Sequence, residues 1–226
     1  AGFVRNLTPS EMLEQIYRIQ RESNERVSNI VVMGCGEPLD NYDNLLTFIE
    51  MISDENGLNI SQRNITVSTC GLVPKIRELA EKKLSITLAL SLHAPTQEKR
   101  KALMPVANTY EIHEVVSAMQ DYEKISSRRV TYEYSLVSGE NDTDEDARLL
   151  SELLRKTGAH VNLIPVNPIK ERSFTPPDKG RVAAFKNKLE KNGINVTIRR
   201  EMGRDIDGAC GMLRSRVSSE KGQIGE

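Results

Sequence analysis

The feature that most constrains this chain is a regular alternation of short apolar segments with helical patterns. Between these segments, large apolar residues recur at helical spacing, as at Leu45, Phe48, Ile49 and Ile52. Strands that are joined through helices run parallel in one sheet. The predicted strands lie at 30–33, 65–69, 86–92, 130–136, 161–165 and 194–200. The pattern predicts an α/β fold, either an open doubly wound sheet or a partial (β/α) barrel, with function at the carboxyl ends of the strands.

Length and composition indicate a folded protein with a sizeable core. The chain has 226 residues, of which 38% are hydrophobic and 28% are charged, and these values are ordinary for a globular domain. We expect one domain over residues 1–217 and a disordered tail over 218–226, where Ile224 is the one large apolar residue. Thr8-Pro9-Ser10-Glu11 predicts the start of a helix with a capping box.

Charge and cysteine content exclude several classes of protein. Lys and Arg number 31 against 32 Asp and Glu, which argues against an independent nucleic-acid binder that depends on a basic surface. No apolar run approaches the ~18 residues that span a bilayer, and no signal peptide is readable. Three widely separated cysteines favour a reduced, cytoplasmic protein over a disulfide framework.

Small and polar residues follow several of the predicted strands. Gly36 lets the backbone approach a ligand closely, and Glu37 is either an acceptor for an ammonium group or a solvated turn residue. Ser68 and Ser91 are either ligand contacts or ordinary hydrogen-bonding residues at strand ends. These residues predict a site along one edge of the sheet.

Two further candidates lie in loops after strands. His93 could be a ligand or a proton carrier, although a single imidazole more often satisfies a loop carbonyl than binds a metal. Asn167, held extended by Pro168, could present its amide to a ligand or cap its loop. The proline-rich stretch 165–179 is expected to be a long loop that shapes the site.

Cys210 is the best nucleophile candidate among the three cysteines. It lies in a glycine-rich segment after the last strand, near Arg199, Arg200 and Arg204, and nearby cations favour the thiolate. A buried, inert thiol is the alternative. Acidic residues at 142–146 are expected to cap a helix.

Five ordered motifs together resemble the radical SAM adenine-C2 RNA methyltransferases of the RlmN type. They are MGCGEPL at 33–39, VSTCG at 67–71, ALSLHAP at 89–95, NLIPVNP at 162–168 and DIDGACG at 205–211. The resemblance covers nearly the whole chain, from residue 2 to about 215. Cys70 stands where that family usually has serine.

The resemblance implies a radical SAM partial barrel, a set of ligand contacts and a methyl carrier. Cys210 would carry the transferred carbon within segment 201–217, and a second cysteine would later resolve the RNA adduct by forming a disulfide with it. The expected substrates are adenines of 23S rRNA and tRNA, with an electron donor as a further partner and no membrane. S-adenosylmethionine would be contacted by Gly36, Glu37, Ser68, Ser91, Leu92, His93 and Asn167.

The family's [4Fe-4S] cluster motif, CxxxCxxC, does not occur in this sequence. The three cysteines lack the spacing to hold a cluster, so no metal ligand is assigned. The resemblance places that motif, the resolving cysteine and the first barrel strand before residue 1. We therefore expect residues 1–226 alone to be inactive.

Three alternatives stay open. One is the resistance-type branch of the family, which methylates adenine C8; C2 is favoured because Pro38 and the following context Asn41-Tyr42-Asp43-Asn44 resemble the housekeeping branch. The second is a non-catalytic fragment that binds S-adenosylmethionine, although six Tyr, four Phe and no Trp make independent RNA binding unattractive. The third, a (β/α) barrel lyase, would need Lys or paired carboxylates at the strand ends.

Overall fold

A computed structural model describes residues 3–34, 36–155, 157–166 and 174–199. Within these ranges helices and strands alternate as the sequence predicts. The strands are β1 (Ile30–Val32), β2 (Ile65–Thr69), β3 (Thr87–Ser91), β4 (Thr131–Leu136), β5 (His160–Pro165) and β6 (Asn195–Ile198). The helices are α1 (Pro9–Ser23), α2 (Tyr42–Ser53), α3 (Val73–Glu81), α4 (Gln97–Leu103), α5 (Ile112–Ser126), α6 (Asp144–Leu153) and α7 (Lys179–Lys191), with short 3₁₀ helices at Pro38–Asn41, Gln62–Asn64 and Pro105–Asn108.

The described residues cluster into two compact units. The first contains residues 3–91 and 109–131, and the second contains the described parts of 92–108 and 132–199. Strand order follows chain order, β1-β2-β3 in the first unit and β4-β5-β6 in the second. Strands β1 and β2, β2 and β3, and β5 and β6 pair in parallel, because a helix returns the chain to the same end before each new strand.

The core of the first unit is built around β2, the middle one of its three strands. Ile65 and Val67 of β2 are fully buried, as expected for a parallel strand with both faces covered. Helix α3 packs on α5, and α1 packs on α2. The hydroxyl of Tyr122 in α5 donates to the carbonyl oxygen of Ile86 at 3.2 Å, which ties the helix to the start of β3 and satisfies a buried polar group.

The second unit has its own apolar core. The rings of Tyr134 in β4 and Phe185 in α7 lie 5.5 Å apart between centroids, a separation typical of aromatic pairs. Leu150 of α6 and Leu163 of β5 are fully buried, and α6 packs on α7. Strands β4 and β5 thus contribute side chains to the buried core of this unit.

Helix starts agree with the sequence prediction. Thr8 and Glu11 form the predicted capping box of α1. The acidic stretch at 142–146 caps α6 as expected, because Thr143 and Asp146 form a second capping box. Each box satisfies backbone N–H groups that the first helical turn leaves without helical partners.

Strand ends differ from the prediction by one or two residues. Strand β1 ends before Met33, and β3 ends at Ser91 because the chain turns at His93, where φ is 59°. The predicted strands are too long because apolar residues such as Met33 and Leu92, which follow the strands, were included in them. Helix α7 begins at Lys179, where the predicted proline-rich loop ends. Residues 167–173 and 200–226 lie outside the described ranges, and with them the predicted carrier segment 201–217 and the predicted tail 218–226. Within those ranges, no helix has both the length and the apolar character to cross a membrane.

Candidate functional site

Glu37 links the ends of β1 and β2 through both oxygens of its carboxylate. Oε1 accepts from the backbone N–H of Leu39 at 3.0 Å, and Oε2 accepts from the N–H of Cys70 at 2.6 Å. Glu37 is thus not simply solvated: it caps the turn that follows it and joins that turn to the end of β2. Each oxygen of an ionised carboxylate has two lone pairs, so the group can also accept from an ammonium donor.

The backbone conformation at Gly36 favours glycine, whereas the surrounding atoms would leave room for a side chain. Its φ is 123°, a conformation that residues with a Cβ rarely adopt. A Cβ built at this position meets no atom within 4 Å. There is thus open space beside the Gly36 backbone at the position of a Cβ, which is compatible with a ligand that approaches the main chain.

Ser68 and Ser91 are brought together at the carboxyl ends of β2 and β3. Their hydroxyl oxygens lie 3.5 Å apart, at the long limit for a hydrogen bond. Ser68 is 6% exposed, and Ser91 is half-buried. The pair can serve as a polar contact for a ligand or as ordinary strand-end hydrogen bonding, and both interpretations remain compatible with this geometry.

His93 is fixed by the backbone of β4. The N–H groups of Leu92 and His93 both donate to the carbonyl oxygen of Glu133, at 3.0 and 3.2 Å. The N–H of Ser135 donates to Nδ1 of the imidazole at 3.0 Å. Nδ1 of the ring therefore accepts from a backbone N–H. Burial of the ring, assisted by the charge of Arg100, lowers the pKa of His93 to about 4.

Two of the predicted site residues, Asn167 and Cys210, have no described position. Cys35 also lies outside the described residues. Cys70 is half-buried at the end of β2, and its sulfur is a thiol rather than half of a disulfide. The predicted ligand contacts with a described position are Gly36, Glu37, Ser68 and Ser91 in the first unit, and Leu92 and His93 in the second.

Sequence reasoning missed a polar row across β4, β5 and β6. Glu133 is 7% exposed and accepts from Nδ2 of Asn162 at 3.0 Å. Thr197 donates from its hydroxyl to Oδ1 of Asn162 at 3.1 Å. Burial raises the pKa of the Glu133 carboxyl, while the hydrogen bond from Asn162 and the charge of Arg199 act in the opposite direction. The sequence signal that could have revealed these contacts was an acidic residue between Tyr132 and Tyr134 within a predicted strand.

We expect Glu133→Gln to raise the free energy of unfolding at pH 7 by on the order of 1 kcal/mol. The pKa of this carboxyl is higher in the folded than in the unfolded state. Wild-type stability therefore falls as the pH rises through the window between those two pKa values. Glutamine does not titrate and can still accept from Asn162, so the gain should vanish below the ordinary Glu pKa of about 4.3.

The measurement is chemical denaturation at pH 3.5 and pH 7 of the protein expressed from its complete reading frame. Glu50→Gln, at an exposed position of α2, is the matched control and should change little at either pH. A loss of stability at pH 7 confined to Glu133→Gln would show that Arg199 and Asn162 outweigh the cost of burying the charge.

The described residues do not fit an iron-sulfur cluster. They include no group of three or more His, Cys, Asp or Glu side chains that could hold a metal ion, and Cys70 is the single cysteine among them. Biological [4Fe-4S] clusters are held mainly by cysteine thiolates. No step of the chemistry can be assigned to cluster ligands in this part of the chain.

Anaerobic incubation of residues 1–226 with iron and sulfide should therefore give no stoichiometric [4Fe-4S] chromophore. The full sequence has three cysteines, at positions 35, 70 and 210, without the spacing of a cluster motif. Iron content and visible absorption measure the outcome. A brown cluster at full occupancy would contradict this expectation.

Comparison with known proteins connects these motifs with a family. A model of the "Radical SAM superfamily" matches residues 2–150. The chain is 65% identical over 219 residues to "Probable dual-specificity RNA methyltransferase RlmN" of Lachnospira eligens, covering 97% of this chain and 63% of the relative. It is 62% identical to the protein of the same name from Lachnoclostridium phytofermentans, covering 97% of this chain and 62% of the relative. The chain thus spans less than two thirds of the length of these relatives.

Solved structures agree with the family match. A radical SAM methyltransferase from Sphaerobacter thermophilus has a TM-score of 0.89 and 42% identity, covering 93% of this chain and 63% of that one. Streptococcus suis SuiB bound to S-adenosylmethionine has a TM-score of 0.64 at 13% identity, covering 91% of this chain and 49% of that one, and it supports the fold alone. These matches confirm the predicted partial (β/α) barrel of the radical SAM type and the resemblance to RlmN. The chain belongs to the radical SAM superfamily.

Proposed function

We propose that the protein expressed from the complete reading frame methylates C2 of adenine in 23S rRNA and tRNA. The observation that carries this proposal is the 65% identity to a relative named as a dual-specificity RNA methyltransferase, over 97% of the chain. The proposed chemistry is methyl transfer from S-adenosylmethionine through a cysteine. It accounts for the order of all five motifs in the sequence.

Glu37 is proposed to bind the ammonium group of S-adenosylmethionine. Its carboxylate is oriented by the N–H groups of Leu39 and Cys70, so little conformational freedom would be lost on binding. The open space beside Gly36 would admit the methionine part of the ligand. Charge-assisted hydrogen bonds of this kind are stronger than neutral ones.

The other proposed contacts are polar groups at strand ends. Ser68 and Ser91 present two neighbouring hydroxyls, and Leu92 and His93 follow at once in the chain. Asn167 completes the proposed set on the strength of the sequence motif alone. Donors and acceptors at the carboxyl ends of strands are the usual means by which α/β folds hold a ligand.

Cys210 is proposed as the methyl carrier. Adenine C2 is too poor a nucleophile for ordinary polar methyl transfer, so a carbon carried on sulfur and activated by a radical offers a route. A [4Fe-4S] cluster bound elsewhere would supply the electron that cleaves S-adenosylmethionine. Within this chain, the task is to bind S-adenosylmethionine and to carry the methyl group on Cys210.

The experiment is complementation of a bacterial strain that lacks its own enzyme of this type. The complete reading frame should restore 2-methyladenosine in both 23S rRNA and tRNA, measured by mass spectrometry of nucleosides from each purified RNA. Appearance of 8-methyladenosine instead would assign the chain to the resistance-type branch. Absence of both products, with the protein folded and bound to S-adenosylmethionine, would favour the non-catalytic alternative.

A further inference from the structure

Asn141 uses both polar atoms of its side chain in hydrogen bonds close to His93, one of the proposed ligand contacts in the second unit. It is 1% exposed and lies in the turn between β4 and α6. Its Oδ1 accepts from the N–H of Val137 at 2.8 Å. Its Nδ2 donates to the carbonyl oxygens of His93 at 2.8 Å and Ser135 at 2.7 Å. An amide has one acceptor oxygen and two N–H donors, and here all of them are in use.

These contacts fix the orientation of the Asn141 amide. A backbone N–H faces its oxygen, and two carbonyl oxygens face its nitrogen. If the amide were flipped, its NH₂ group would face the N–H donor and its oxygen would face the two carbonyl oxygens, so all three hydrogen bonds would be lost. The hydroxyl of Tyr134 also donates to the carbonyl oxygen of Asn141 at 2.8 Å. Both the side chain and the main chain of Asn141 are therefore hydrogen-bonded to residues of β4.

His93 is held in an uncommon backbone conformation by this arrangement. Its φ of 59° lies in the left-handed region, which costs free energy for a residue with a Cβ. Its N–H donates to Glu133 O, and its carbonyl oxygen accepts from Asn141. Strained backbone of this kind persists where surrounding contacts fix it, and such positions cluster at ligand sites.

The same contacts determine the position of the proton on the imidazole. The N–H of Ser135 can only donate, so Nδ1 must accept with its lone pair. A neutral imidazole carries one proton, which must then be on Nε2. Protonation of Nδ1 would place two N–H groups against each other. Arg100 of α4, which is fully buried, is the charged group that acts on the ring, and Glu133 contacts His93 through its backbone oxygen.

We propose that Asn141 is a positioning residue that holds His93 as a neutral imidazole with its proton on Nε2, so that His93 binds S-adenosylmethionine as a fixed hydrogen-bond donor and not as an acid or base. The ligand side of this inference rests on the proposed function. The partner of Nε2–H is an oxygen or ring-nitrogen acceptor of that molecule. Burial and the nearby cation keep the ring neutral across physiological pH.

The first test is nuclear magnetic resonance of the wild-type protein expressed from its complete reading frame and labelled with ¹⁵N-histidine. Long-range ¹H–¹⁵N correlation spectra should show His93 with a protonated Nε2 and an unprotonated Nδ1, unchanged from pH 8 to pH 5.5. His93→Gln assigns the signals. A ring that titrates with a midpoint of about 6.5, the ordinary histidine value, or that carries its proton on Nδ1, would overturn the proposal.

The second test compares ligand affinity in matched variants by calorimetric titration with S-adenosylmethionine. His93→Leu should weaken binding about tenfold through loss of one donor, and His93→Gln, which retains an N–H donor, should recover most of that loss. Asn141→Asp cannot donate to either carbonyl and should weaken binding while altering the His93 signals. Asn192→Asp, an exposed position after α7, is the control and should change neither.

The outcomes separate this inference from the proposed function. Absence of S-adenosylmethionine binding by the wild-type protein would contradict the proposed function and, with it, the ligand assigned to His93. Normal wild-type binding combined with equal affinity in His93→Leu would refute the present inference alone. If Asn141→Asp does not fold, the wild-type spectra and the two His93 variants still decide whether His93 is a neutral ligand contact with its proton on Nε2.

Discussion

Glu37→Gln is expected to weaken binding of S-adenosylmethionine by about 10- to 150-fold, which corresponds to ~1.5 to 3 kcal/mol. Both carboxylate oxygens of Glu37 accept from backbone N–H groups, of Leu39 and Cys70. Glutamine replaces one acceptor with an NH₂ group, so one of those N–H groups would face another donor. The variant also loses the charge that the ligand ammonium would contact. Calorimetric titration of the protein expressed from its complete reading frame measures the effect.

The control is Asp40→Asn, which removes an exposed acid in the 3₁₀ helix that Glu37 caps. It should leave affinity within about twofold of the wild type. Thermal unfolding of both variants separates a lost ligand contact from a distorted junction between β1 and β2. Unchanged affinity in a folded Glu37→Gln protein would leave Glu37 with the structural role alone.

Cys210→Ala is expected to abolish RNA methylation, a loss of at least about a thousandfold, as is usual when a covalent carrier is removed. Cleavage of S-adenosylmethionine should persist, because the proposed ligand contacts do not include Cys210. Incorporation of labelled methyl groups into 23S rRNA and tRNA measures the first effect, and release of 5′-deoxyadenosine measures the second.

Cys70→Ser is the matched cysteine control. Glu37 contacts Cys70 through its backbone N–H, which serine retains, and serine is the residue expected at this position in the family. This variant should therefore keep most of its activity. Full methylation by Cys210→Ala would exclude the carrier role of that residue.

The sequence could predict the order of elements because the signals are local. Short segments rich in Val and Ile predicted the strands. Thr8 and Glu11 predicted a capping box, which the structure contains. Strand ends were less predictable. Strand β3 ends at Ser91 because His93 turns into the left-handed region, and that turn depends on Asn141, which lies far along the chain.

The candidate site was predictable as a set of motifs and not as a set of contacts. Glu37 was singled out as an acceptor, but its bond to Cys70 N–H depends on the parallel pairing of β1 with β2. Asn141 gave no sequence signal, because its role depends on carbonyl oxygens from two separate segments. Glu133 could have been noticed as a charge within an apolar strand pattern.

The most direct test of the account is mass spectrometry of Cys210 in the purified protein expressed from its complete reading frame. Digestion should yield a peptide containing residues 207–212 with a methyl group on the sulfur of Cys210, and peptides containing Cys35 or Cys70 should be unmodified. A methyl group on Cys35 or Cys70, or an unmodified Cys210 in protein that is methylating RNA, would contradict the proposed carrier mechanism.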